Sequence, residues 1–109
     1  MPHPRFRITK GQGDEYTFNL TAANGERILS SERYTSHSGA ARGVAAVKEN
    51  AGIDARYERR EARDGTVYFV LKAGNGEIVG TSEMYSGSSG VERGIESVKV
   101  NAVVAGVEG

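Results

Sequence analysis

Phe18-Asn19-Leu20-Thr21-Ala22-Ala23-Asn24-Gly25-Glu26 returns, 51 residues later, as Phe69-Val70-Leu71-Lys72-Ala73-Gly74-Asn75-Gly76-Glu77. In each stretch apolar residues alternate with polar or smaller ones, the period of a strand with one buried face. The Asn-Gly pair that follows favours the positive-φ positions of a two-residue hairpin turn. Arg27 to Arg33 and Ile78 to Met84 then read as returning antiparallel strands. With a two-residue turn, Phe18, Leu20 and Ala22 share a face with Leu29 and Ser31. Asn19, Ile28, Ser30 and Glu32 take the other, because a one-residue slip would invert the assignment.

The offset of 51 persists outward in both directions. Ser31-Glu32 and Tyr34 recur as Ser82-Glu83 and Tyr85, and Arg42-Gly43-Val44 recurs as Arg93-Gly94-Ile95. Val47-Lys48 and Asn50-Ala51 recur as Val98-Lys99 and Asn101-Ala102, and upstream Phe6 falls on Tyr57. Self-similarity at a fixed period marks a duplicated structural unit. The unit boundary lies near Asp54 to Arg56, which divides one domain, residues 1–109, into repeats of about 5–55 and 56–107.

Beyond each hairpin a Ser/Gly patch leads into apolar residues at helical spacing: Ala40, Val44, Val47 and Ala51, then Val91, Ile95, Val98 and Ala102. Ser89 and Glu92 have capping-box spacing, and Gly52 stands where a helix-ending C′ glycine belongs. A mid-helix glycine costs about 1 kcal/mol relative to alanine. Its presence in both repeats, as Gly43 and Gly94, predicts helix backbone lying close against the sheet.

By the N-G-E turn, the S-E-x-Y strand end and the R-G-[IV]-x-x-V-K-x-N-A helix, the chain resembles the YegP-like family of small bacterial and archaeal proteins. The resemblance implies an α+β fold: two tandem β3-α-β repeats forming one antiparallel sheet, with both helices on one face. It also implies that the strand after each helix crosses to pair in the other repeat's half, at Ile53 to Tyr57 and at Val103 to Val107. Single-copy members reach this architecture by dimerising, so a monomer is expected here. Two positions depart from the repeat pattern: Gly80 replaces Leu29, and Val103 stands in place of Gly52. The family carries no established activity, so the resemblance supplies no catalytic residues.

Lys and Arg total 14, as do Asp and Glu, so no net field favours phosphate backbones or anionic membranes. The absence of cysteine removes disulfides, thiol catalysis and thiolate metal sites, and fits the cytoplasm. Neither a signal peptide nor a membrane-spanning stretch is evident. His3 and His37 lack neighbours at ligand spacing, no serine sits in a nucleophile elbow, and Gly11 and Gly13 do not open a helix. No catalytic residue, metal or cofactor is expected. Lys48 and Lys99, near helix ends, oppose the dipole and stay solvated.

The best polar candidates are Glu32, Tyr34 and Arg42 with their counterparts Glu83, Tyr85 and Arg93. A carboxylate, a phenol and a guanidinium could form two related recognition sites, or simply tie strand to helix. On the face away from the helices, Thr17, Asn19 and Thr21 contrast with Tyr68, Val70 and Lys72, beside Val79. An uncovered Tyr68/Val70 patch could be a contact surface. The leading expectation is therefore a noncatalytic binding or interaction module for a protein or small ligand. The alternative is single-stranded nucleic-acid binding, with Tyr68 stacking bases and Arg56, Arg59, Arg60 and Arg63 meeting phosphates; interleaved Glu58, Glu61 and Asp64 oppose it. A small enzyme using Glu32 or Glu83 as general base comes third.

Overall fold

The structure is a computed structural model that describes residues 3–109. Among the described residues, seven strands and two α-helices follow in the order β1 (Arg5–Lys10), β2 (Tyr16–Thr21), β3 (Arg27–Ser30), α1 (His37–Asn50), β4 (Tyr57–Glu61), β5 (Val67–Lys72), β6 (Ile78–Thr81), α2 (Ser88–Ala102) and β7 (Gly106–Glu108). The strands form one sheet, ordered β4-β5-β6-β3-β2-β1-β7. Both helices pack on the same face and straddle the repeats. Helix α1 lies over β1 and β2 of its own repeat and over β5 and β6 of the other, while α2 lies over β5 and β3. No helix is long and apolar enough to cross a membrane among the described residues.

The apolar period of each strand and helix converges on one core shared by both halves. Phe6, Phe18, Leu20 and Leu29 from the first repeat meet Phe69 and Leu71 from the second, all fully buried, beneath Ala40, Val44, Val47, Val91, Val98 and Ala102. Each large side chain removed from water contributes about 1.5–3 kcal/mol.

Hairpin geometry differs from the two-residue turn, yet beyond a bulge the strands keep the expected register, Leu20 opposite Leu29. In the first hairpin Ala22 N–H bonds Glu26 O and Gly25 N–H bonds Ala22 O, both within 2.9 Å, so the loop holds three residues. Gly25 alone takes a positive φ, +88°, and Asn24 turns its side chain to accept from Glu26 N–H instead. The extra loop residue is offset by a bulge between Leu20 and Thr21 that leaves Leu20 opposite Leu29. That bulge turns Ile28 away from the open face assigned to it and into the core, 6% exposed. The second hairpin repeats every step, and Val79 follows Ile28 to the helix side.

The halves meet where β3 and β6 run antiparallel, registered among the described residues only at Ser30 opposite Thr81. These two are repeat counterparts, so a pseudo-twofold axis passes between them. Leu29 and Gly80, also counterparts, meet across that axis on the helix side. A Cβ built on Gly80 would lie 2.5 Å from Leu29 Cδ2 and 2.6 Å from its Cγ. One bulky residue fills a space that symmetry would have asked two to share, which accounts for the departure at Gly80.

The strand exchange is present on one side only: no strand at Ile53 to Tyr57 crosses into the other half. Strand β7 does reach the first repeat's half, but it pairs parallel with β1, Phe6 opposite Val107, so the sheet is mostly rather than wholly antiparallel. After α1, Asp54–Arg56 form a short 3-10 turn, and the strand there is β4, Tyr57–Glu61, antiparallel to β5. The counterpart of β7 would be residues 55–57, which run straight into β4. A parallel mate needs a crossover of a dozen or more residues, and none intervenes.

Helix ends also correct the sequence reading. Ser36 caps α1, accepting from Gly39 N–H at 3.0 Å, whereas the N-cap of α2 is Gly87, which has no side chain to cap with, so Ser89 and Glu92 form no capping box. Gly52 is not among the glycines with positive φ, and Ala51, Gly52's neighbour, ends α1 in right-handed geometry. No left-handed residue is needed, so Val103 serves equally well at the matching place. Lys48 and Lys99 do more than oppose a dipole. Lys48 Nζ donates to Ala105 O at 2.6 Å above the Phe6 ring, and Lys99 donates to Asp54 above the Tyr57 ring. Each therefore grips the chain entering β7 or β4.

Candidate functional site

Where β3 leaves its partner, Ser31 Oγ accepts from Phe18 N–H at 2.8 Å and donates to Glu32 O at 2.7 Å. Ser82 does the same with Phe69 N–H and Glu83 O. The hydroxyl thus replaces a missing backbone partner in the ladder, which a buried polar group must find somewhere. Pairing resumes at Tyr34, bonded both ways to Tyr16, so Glu32 and Arg33 are thrown outward. Tyr85 resumes pairing with Val67 in the same way.

Tyr34 then lies over α1, stacked on Phe18 at 6.1 Å between centroids. Its hydroxyl occupies the space of an absent Gly43 side chain: a Cβ there would collide with Tyr34 Oη and lie 2.8 Å from Phe18. Tyr85, Phe69 and Gly94 repeat the arrangement, with a ring separation of 6.5 Å and a Cβ that would lie 2.9 Å from Phe69. The paired mid-helix glycines are thus explained by close approach, as their sequence suggested.

Beside Tyr34 runs a groove of about 290 Å³. One wall is α1, through Gly39, Arg42, Gly43 and Ala46; the other belongs to the second repeat, through Ala73, Asn75, Glu77 and Val79. Apolar floor and charged rim face each other across the repeat junction. Burial, reinforced by the carboxylates of Glu32 and Glu77, pushes the Tyr34 phenol above its ordinary value, so it stays neutral and able to donate. At the related position, burial together with Glu83 and Glu26 does the same to Tyr85. Each tyrosine thus faces the N-G-E turn of the opposite repeat.

Of the sequence candidates, Tyr34 and Arg42 come together, and Glu32 is near enough to act on the phenol. No ion pair joins Glu32 to Arg42 or Glu83 to Arg93 among the described residues. Glu32 and Glu83 are exposed, lacking the enclosure that a carboxylate general base would use. In sequence the other repeat's Asn75 and Glu77 carry only the signature of turn residues. Their place in the groove follows from the β3–β6 seam, a pairing between repeats that no local pattern carries.

Val70 is 1% exposed, so it offers no apolar contact area on the open face. Glu58 stands directly opposite it and pairs with Lys72 at 2.8 Å and with Arg60, which frames Val70 in charged side chains. Val79, turned inward by the bulge, adds nothing there. The arginines considered for phosphate are largely engaged: Arg56 with Asn50 at 2.9 Å, Arg59 with Glu92 through two bonds of 2.5 and 2.7 Å, and Arg60 with Glu58.

A family profile described as a domain of unknown function, DUF1508, matches this chain twice, over residues 12–58 and 62–108. The chain belongs to the DUF1508 family. Among its relatives, a UPF0339 protein of Bordetella pertussis is 52% identical over 95 residues, covering 87% of this chain and 86% of that protein. The UPF0339 protein YegP of Escherichia coli K12 is 45% identical over 96 residues, or 88% and 87% of the two chains. The solution NMR structure of yegP from E. coli, a protein of unknown function, superimposes with a TM-score of 0.91 at 41% identity, covering 99% of this chain and 93% of that one. A UPF0339 protein of Shewanella oneidensis gives 0.90, also at 41% identity, covering 99% and 91%. The DUF1508 assignment therefore fixes the fold and the duplication, and it names no activity.

Proposed function

We propose that this DUF1508 protein is a noncatalytic binding module that uses the grooves between its repeats. The observation that carries the reading is the groove beside Tyr34, whose walls come from α1 of one repeat and the hairpin turn of the other. Concave sites with an apolar floor and a few convergent polar groups are the usual form of a ligand site. Tyr34, Ala46 and Val79 would receive an apolar or aromatic body, while Arg42, Asn75 and Glu77 would orient polar ends. Such a ligand is a small molecule or a side chain of a partner protein. By the pseudo-twofold relation, Tyr85 and Arg93 would serve as the counterparts of Tyr34 and Arg42 in a second, related site.

The test compares what the wild type and an Arg42→Glu, Arg93→Glu variant retain from a lysate, with and without nuclease. Both arginines are exposed, so the variant should melt within a few degrees of the wild type. Loss of a nuclease-resistant species from the variant supports the reading. Identical retained sets from two equally folded proteins would reject it.

A further inference from the structure

The open face carries a second recess, of about 290 Å³, lined by Arg5, Arg7, Asn19, Thr21, Gly25 and Arg27. Its composition follows from register. Arg5 lies opposite Thr21, and Thr21 opposite Arg27, so two guanidiniums flank a hydroxyl in one row across the sheet. In the next row Arg7 lies opposite Asn19, and Asn19 opposite Ser30. Phe6 and Ile8, between and beside the two β1 arginines, are buried on the helix side, so alternation commits Arg5 and Arg7 to this face.

Charge in the recess is not balanced. Glu108 on β7 reaches Arg5 at 3.2 Å and Arg7 at 3.4 Å, one oxygen to each. That leaves three guanidiniums against one carboxylate, and Arg27 has no acidic partner among the described residues. Ser30 Oγ donates to Asn19 Oδ1 at 3.0 Å, which leaves the Asn19 amide nitrogen as a donor.

The second repeat shows what the same scaffold does with other residues at these positions. The positions matching Arg5, Arg7, Asn19, Thr21 and Arg27 are Arg56, Glu58, Val70, Lys72 and Ile78. There Arg56 bonds Asn50, Glu58 pairs with Lys72, and Val70 and Ile78 offer no polar group. One half is neutralised internally; the other keeps donors facing outward.

We propose that the Arg5–Arg7–Arg27 recess binds a small anion bearing adjacent phosphate groups. Planar guanidiniums pair with phosphate oxygens two bonds at a time, and a diphosphate can engage the two rows at once. Glu108 competes for the same arginines, so the ligand must displace it from at least one of them.

Titration of pyrophosphate into the ¹⁵N-labelled full chain at low salt, followed by amide chemical shifts, tests this. Saturable shifts should centre on Arg5, Arg7, Asn19, Thr21 and Arg27. Arg27→Ala should weaken binding tenfold or more, and Glu108→Gln should tighten it several-fold. The proposal fails if the shifts do not saturate, if they centre elsewhere, or if Arg27→Ala binds as the wild type does. It also fails if a thymidine oligonucleotide binds with a steep salt dependence while pyrophosphate does not, since that outcome points to nucleic acid instead.

Discussion

The unequal pair at the pseudo-twofold axis makes a quantitative prediction. Leu29 is fully buried, and its removal to alanine should cost about 2–5 kcal/mol through lost transfer energy and the cavity left behind. Gly80→Ala places a methyl 2.5 and 2.6 Å from Leu29 Cδ2 and Cγ. Overpacking of this kind costs about 1–3 kcal/mol and outweighs the roughly 0.5–1 kcal/mol that alanine otherwise gains over glycine in a strand. In the Leu29→Ala background the colliding atoms are gone, so Gly80→Ala should become neutral or stabilising. The coupling between the two sites is then about 2 kcal/mol, within the range for residues in contact. Urea unfolding of the four proteins measures it directly, and melting should follow at about 4–8 °C per kcal/mol. If Gly80→Ala costs the same with and without the Leu29 side chain, Leu29 is not what excludes a residue at position 80, and the symmetry argument is wrong.

Deleting residues 103–109 removes β7, the buried Ala105 and the Lys48 anchor, and should lower stability by several kcal/mol; an unchanged melting temperature would count against the crossing. Gly43→Ala and Gly94→Ala should each incur about 1–3 kcal/mol by the same overpacking, less the roughly 1 kcal/mol that alanine gains over glycine in a helix, and Tyr34→Phe should relieve part of the Gly43→Ala cost by removing the hydroxyl. Equal Gly43→Ala costs with and without the Tyr34→Phe change, measured by urea unfolding, would show that the hydroxyl is not the obstacle. Hydrogen bonds from Arg5 and Arg7 hold the Glu108 carboxyl below its usual range, as Arg59 does for Glu92 and as Lys72 and Arg60 do for Glu58. Each is depressed in the folded state, so the stability it adds is complete above the unfolded value of about 4.3 and is lost as pH falls through the folded value. The urea midpoint should therefore fall as pH is lowered below about 4.3, and less steeply in Glu108→Gln; a midpoint that holds or rises would contradict the assignment.

The fold was legible wherever the physics is local. Alternation in Phe18 to Ala22, the period of Ala40 to Ala51, and the paired glycines Gly43 and Gly94 each state their own environment, because burial leaves a residue-by-residue imprint. From Leu20 and Leu29 outward the hairpin has the expected register although its turn differs, since a longer loop and a bulge at Ile28 cancel there, while Ile28 itself changes face. What escaped was set by partners distant in sequence. Val70 is covered by a charged network assembled from β4 and β5, and the Tyr34 groove is completed by Glu77 only because β3 meets β6. The capping box failed for a related reason: Glu92 answers to Arg59 across the sheet edge rather than to its own helix start.

The seam between β3 and β6 has a further consequence. With so short a run of backbone pairing there, cohesion of the two halves rests on side chains in the manner of a subunit interface. The brief connection from α1 to β4 holds those surfaces at a high effective concentration, so contacts too weak to join separate chains suffice within one. Duplication followed by fusion would thereby relax the demand on the interface, leaving one half free to lose a leucine and the other to change the charge of its outer face.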